Sequence, residues 1–272
     1  MKYISIFTTL FCLLVNISVC QTTTEETTPY TYIADRPQLT TSGVILPVKT
    51  FAIETGFRAN IIDQDNYSFN YNQTLVRIGM MKLMEMTVGF RVPGTLSNGN
   101  HEIGFASPKA GLKVLMKEKG DGNMGLAFVG EAGINFGTKN FKDTKVLPAF
   151  RVAMDIDLSD KTNMRINYGA EWRENLQVLD TEGNPAIDPF FVVALNVNQQ
   201  FSDKITAFVE VYANVKHNNF RNDYFLNGGL IYKMKSNVQL DFAAGAGLSP
   251  NSPRGNVQIG FSGIWPKKNI PQ

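Results

Sequence analysis

Cysteine is all but missing from this chain. The only two, Cys12 and Cys20, lie within the first twenty residues, so no disulfide framework holds the body of the protein together. Long apolar runs are missing as well: mean hydropathy is −0.12, far too polar for a bundle of membrane helices, each of which needs about 20 apolar residues. An excess of one charge is missing too. Lys and Arg number 26 against 24 Asp and Glu, and removal of Lys2 with a leader leaves 25 against 24. A nucleic-acid partner usually requires a basic surface, so none is expected. Histidine is scarce. His101 and His217 fall in expected loops with no serine beside them on a strand face, where a solvated side chain is the ordinary reading. No metal-spaced His/Cys/Asp cluster and no phosphate-cradling glycine loop is present. No catalytic residue, metal or cofactor is therefore expected.

What is present points to strands. The chain of 272 residues carries 23 glycines and 28 Phe and Tyr residues, with no sustained helical period. Its first twenty residues, Met1 to Cys20, have one positive charge, an apolar middle and a small-residue end. That pattern reads as a secretory signal peptide cut between Cys20 and Gln21. The alternative is lipidation at Cys20, against which Val19 is bulky for the preceding position. Residues 21–47 read as a periplasmic leader, a Thr/Glu tract followed by the proline-bracketed segment Asp35 to Pro47 that could occupy the mouth of a barrel.

The clearest stretch is Val146 to Arg173. Phe150, Val152, Met154 and Ile156 share one parity, and Arg151, Ala153, Asp155 and Asp157 the other. After a turn at Leu158 to Asn163, Met164, Ile166, Tyr168, Ala170 and Trp172 oppose Arg165, Asn167, Gly169, Glu171 and Arg173. Side chains alternate across a strand, so each strand has one apolar face and one charged or small face. Its length matches a tilted crossing of a bilayer. The unit repeats: Met84, Met86, Val88 and Phe90 oppose Glu85, Thr87, Gly89 and Arg91, and Val238, Leu240 and Phe242 oppose Gln239, Asp241 and Ala243.

Short and long connections take turns along the chain. Five short turns, near 81–84, 117–123, 158–162, 201–204 and 233–237, alternate with six longer loops near 61–68, 94–103, 137–145, 175–188, 216–223 and 249–255. They join about twelve strands. The expected fold is all-β: a transmembrane antiparallel β-barrel over residues 48–265, with a short tail at 266–272. A soluble barrel or sandwich shows the same alternation with inside and outside exchanged. The leader, the uniform strand length and the glycines on the charged parity favour the lipid-facing version. Tyr168, Trp172, Tyr232 and Trp265 are placed near strand ends, as an interfacial girdle requires.

Three stretches carry a family resemblance. Asp35-Arg36-Pro37 leading into Phe51 to Phe57, the hairpin Leu226 to Leu248, and the turns Phe201-Ser-Asp-Lys204 and Leu158-Ser-Asp-Lys161 resemble a family of Gram-negative outer-membrane proteins. That family is catalogued under the meta-pathway of phenol degradation and is often labelled simply transporter. The resemblance implies an outer-membrane barrel concerned with small-molecule passage, with no defined substrate. The end of the chain, Gln258-Ile-Gly260-Phe-Ser-Gly263-Ile-Trp265, resembles the last-strand pattern that the barrel-assembly machinery reads, with Gly263 where an apolar residue is usual. A monomer in outer-membrane lipid is expected.

The functional candidates are the charges on the inward parity. They are Glu54, Arg58, Arg77, Glu85, Arg91, Lys109, Lys113, Glu131, Arg151, Asp155, Arg165, Glu171, Arg173, Glu210 and Asp241. Their near balance suggests ion pairs across the lumen. One reading is a polar constriction that filters solutes by charge and size, and the family resemblance implies a small, apolar or aromatic solute. A second is a structural barrel with a salt-bridged, closed lumen. The third, an outer-membrane lipid-modifying enzyme, would depend on the loop histidines.

Overall fold

A computed structural model describes residues 34–120, 123–179, 183, 185–216 and 222–265. The leader before residue 34, His217 and the tail after Trp265 lie outside the described residues. Thirteen strands follow in order. They are β1 (Phe51–Ile61), β2 (Asn66–Met81), β3 (Met84–Ser97), β4 (Asn100–Ile103), β5 (Lys109–Lys117), β6 (Met124–Gly133) and β7 (Pro148–Ser159). Then come β8 (Thr162–Leu179), β9 (Pro185–Gln200), β10 (Ile205–Lys216), β11 (Asp223–Lys235), β12 (Val238–Gly247) and β13 (Gly255–Trp265).

Each strand pairs antiparallel with its neighbour, and β1 pairs with β13 from Phe51↔Trp265 to Ile61↔Gly255. The ladder therefore closes on itself. Closure satisfies every backbone group without an edge, the condition for a sheet to cross lipid. The short β4 pairs with β3 alone, while β3 continues the ring to β5. The barrel thus has twelve strands, with β4 as an arm folded back on β3.

The five short turns fall where expected, between β2 and β3, β5 and β6, β7 and β8, β9 and β10, and β11 and β12. Two expected loops are instead strand. Residues 94–103 form the β3–β4 hairpin, turned by Asn98 and Gly99 at φ 48° and 81°, the left-handed pair that a tight hairpin requires. Residues 175–188 are largely the ends of β8 and β9, 18 and 16 residues long. About 9–11 residues suffice for a crossing, so this pair extends well past the bilayer. Tyr168 and Trp172 consequently lie within β8, not at its end. Trp172 joins Phe150 and Phe128 in an outward aromatic row, and Trp265 stacks on Phe51 at the opposite rim.

Which parity faces in is unambiguous. Phe150, Leu240, Phe242 and Ile259 are exposed on the outer surface, while Asp155, Glu54, Glu85, Arg77 and Glu210 are wholly buried. A water-soluble barrel would show the reverse. Among the described residues the cluster of buried apolar side chains is small: Ala34, Leu46, Ala52 and Ile264, at the short-turn end. Polar groups make up most of the rest of the interior, with small and aromatic side chains among them.

Candidate functional site

Residues 34–50 have no period of two because they form no strand. They run inside the barrel and return to its short-turn end, where Lys49, at φ 63°, turns the chain into β1. The turn is fixed by Lys49 N–H donating to Gly79 O at 3.0 Å and Gly79 N–H donating to Thr50 O at 2.9 Å. This segment is a plug, and its docking explains much of the inward charge.

Carboxylates on the wall accept its backbone amides. Glu54 Oε2 accepts from Asp35 N–H and Arg36 N–H, each at 2.9 Å. Glu210 Oε1 accepts from Leu39 N–H at 2.9 Å and Thr40 N–H at 2.8 Å. Glu85 Oε2 accepts from Leu46 N–H at 2.7 Å. An irregular segment has amides that no ladder satisfies, and burying them is costly unless something accepts them. Side-chain amides complete the docking: Asn167 takes Thr41 N–H at 2.7 Å and gives a bond to Thr41 O at 2.8 Å. Gln258 Nε2 donates to Pro37 O at 2.7 Å. Arg165 donates through Nη1 to Ala34 O at 3.2 Å and to Gln38.

Charged side chains of the plug pair with the wall as well. Arg36 Nη2 lies 3.3 Å from Asp241 Oδ1. Its guanidinium occupies the space that Cβ atoms on Gly56 and Gly260 would fill. The Pro47 carbonyl likewise sits against Gly79, where any Cβ would clash. Glycine on the inward parity is thus room for the plug. Asp35 accepts from Ser42 N–H within the plug at 2.8 Å and faces Arg77 at 3.8 Å and Lys113 at 3.9 Å. Burial pushes its carboxyl up, but Arg77, Lys113, the Ser42 amide and Arg165 together outweigh that and bring it down to about 2.

The fifteen inward charges therefore divide by position. Glu54, Arg77, Glu85, Lys113, Asp155, Arg165, Glu210 and Asp241 surround the plug and are buried. Arg58, Arg91, Lys109, Glu131, Arg151, Glu171 and Arg173 lie nearer the long loops, and none of them is fully buried. The ion pairs expected across the lumen run instead along the wall. Arg77 bridges Glu54 at 2.9 Å and Glu85 at 2.7 Å on the strands beside it. Arg165 pairs with Asp155 at 3.2 Å and Arg151 with Glu131 at 3.3 Å on adjoining strands, and Arg173 with Glu171 on its own strand. Cross-strand neighbours are held at contact distance by the ladder, whereas side chains across a twelve-stranded lumen do not meet. The plug spans that gap.

Several interior residues lie outside the set of strand charges. Asn196, Asn198, Asn227 and Gln258 are buried beside the plug. Lys119, on the short β5–β6 turn, pairs with Asp155 at 2.6 Å and Asp157 at 2.7 Å. Phe208, Tyr212 and Phe225 face inward, the last two stacked at 4.9 Å with planes 4° apart. Phe208 and Tyr212 share the parity of Glu210, which is the signal that would have found them. His101 lies on β4, its Nε2 2.8 Å from the Tyr71 hydroxyl. Among the described residues no group of His, Cys, Asp and Glu could hold a metal ion.

Comparison with solved structures places the fold. An outer membrane channel from Pseudomonas putida F1 matches with TM-score 0.60 at 12% identity, over 81% of this chain and 97% of that one. The NanC porin matches with TM-score 0.54 at 13% identity, over 78% of this chain and 98% of that one. The KdgM porin matches with TM-score 0.52 at 10% identity, with the same coverage of each chain. These likenesses are to porin-type outer-membrane barrels. No curated protein matches the sequence. The family profile "Putative MetA-pathway of phenol degradation" matches residues 34–263, plug and barrel together, and the chain belongs to that family.

Proposed function

We propose that the protein is an outer-membrane channel for passive passage of a small solute, closed in its inner half by residues 34–47. One observation carries the reading. The interior is not a core but a polar conduit, and what fills it is a segment of the same chain held by hydrogen bonds and ion pairs. A purely structural barrel could fill its centre with interlocking wall side chains, without docking a separate segment on six or more strands. Contacts of this kind exchange for water at modest net cost, because each bond lost is replaced by one to solvent. The fold it shares with two porins and an outer membrane channel supports the same reading.

In this arrangement the short turns face the periplasm, and the longer connections face outward. A solute enters the outer half, among the half-exposed Arg151, Glu171 and Arg173, and passes inward when the plug shifts. Planar-bilayer recording on purified, folded protein tests this. Stepwise conductance, enlarged by substitutions that loosen the plug, is the expected result. Folded protein that stays silent in every such variant would favour the closed structural barrel.

A further inference from the structure

The outer half of the lumen has a composition that the plug does not explain. Arg58 donates through Nε at 3.1 Å and Nη2 at 2.8 Å to Gln258 Oε1. Among the described residues no carboxylate lies within 4 Å of it, nor of Arg91 or Lys109, although Glu210 attracts Arg58 and Glu171 and Glu131 attract Lys109 from farther off. Tyr212 interacts electrostatically with Arg58, and its hydroxyl has no hydrogen bond to a described residue. Beside Arg58, Tyr212 is half-buried and stacked on the buried Phe225, and carries aromatic surface into the lumen from β10. On the adjoining strands Phe190 lies under the Arg173 guanidinium, 4.6 Å from ring centroid to Cζ. Cations held beside aromatic rings, with donors left over, match a ligand that is both flat and anionic.

We propose that this chamber is a binding site for a small aromatic carboxylate, its ring against Tyr212 and its carboxylate on Arg58. A guanidinium donates to a carboxylate in a fork that an ammonium cannot reproduce. The Tyr212 hydroxyl supplies a further donor. A neutral aromatic would leave the remaining Arg58 donors unused, and an aliphatic acid would leave the Tyr212 ring uncovered. The site deepens the channel reading, since it names what the outer chamber selects.

Isothermal titration of the full-length protein in detergent tests it with three probes: benzoate, benzyl alcohol and acetate. Benzoate should bind about tenfold or more tightly than either of the others, because benzyl alcohol lacks the charge-assisted contact and acetate lacks the ring. Arg58→Gln should weaken benzoate by about tenfold and leave benzyl alcohol unchanged. Tyr212→Leu should weaken both aromatics, which decides the matter if the Arg58 variant does not fold. Benzoate no tighter than the two controls, or indifferent to both substitutions, would overturn the site. Binding in detergent requires no conduction. A channel that conducts but ignores benzoate therefore loses only this assignment, and a benzoate binder that never conducts loses only the channel.

Discussion

Arg58 and Gln258 face each other on β1 and β13, and the guanidinium donates twice to the amide oxygen, at 3.1 and 2.8 Å. The other end of the same amide donates to Pro37 O of the plug at 2.7 Å. Gln258 thus joins the outer chamber to the segment that closes the inner one. Replacing it with alanine removes the bond to the plug and leaves Arg58 without its acceptor. Gln258→Ala should raise single-channel open time in planar bilayers several-fold, and a record unchanged from the parent would show that this bridge does not hold the plug.

Glu210 is the firmest anchor of the plug tip. It accepts two amide N–H groups and pairs with no cation within 4 Å among the described residues. Glu210→Ala therefore frees the tip without stranding a positive charge. Hydrogen bonds to charged acceptors contribute about 1.5–3 kcal/mol each, so conductance should rise sharply. Limited proteolysis of the reconstituted protein should cut between residues 34 and 47, where the parent resists.

Acid should release the plug in a definite window. The docked Asp35 carboxyl titrates at about 2, below its ordinary 3.8. A lowered docked value means the contribution, about 2 kcal/mol, is present above pH 3.8 and lost as pH falls toward 2. Conductance recorded from pH 5 downward should climb through that window. In Asp35→Asn the Asp35 component of the climb should be gone and the plug looser than the parent's above pH 3.8, with the difference closing as pH falls toward 2. An identical acid response in both proteins would remove Asp35 from the latch.

Lipid contact predicts a large asymmetry between the two faces of one strand. Phe242, in the middle of β12, is 53% exposed on the outer surface. Phe242→Arg should cost about 2–4 kcal/mol of folding free energy in vesicles if that position lies near the bilayer midplane. Urea titration in lipid reads the loss directly. A variant as stable as the parent would contradict a lipid-facing band.

Arg151 lies in the outer chamber, paired with Glu131 at 3.3 Å. Arg151→Glu places two carboxylates together and turns the local charge negative. Reversal potentials in a salt gradient should move toward cation selectivity. No movement would place the conduction path away from β7.

The strands, their facing and the five short turns were legible from the chain alone. A strand alternates every second residue, so Phe150 and Arg151 announce opposite faces wherever the strand ends up. Closure followed from the same pattern, because unpaired edges are not tolerated in lipid. The barrel ends were less legible. The β8–β9 extension and the β3–β4 arm continue the ladder outside the membrane, where no apolar band marks them. The candidate charges were identifiable by parity, but their partners were not. Arg36 meets Asp241 across 205 residues of sequence, and Glu54, Glu85 and Glu210 accept amides from a segment with no periodic signal. Local sequence determined which side chains point inward, because that depends on the backbone of one strand. Only the closed barrel decided what they meet there, because lumen width and strand register are properties of all twelve strands together.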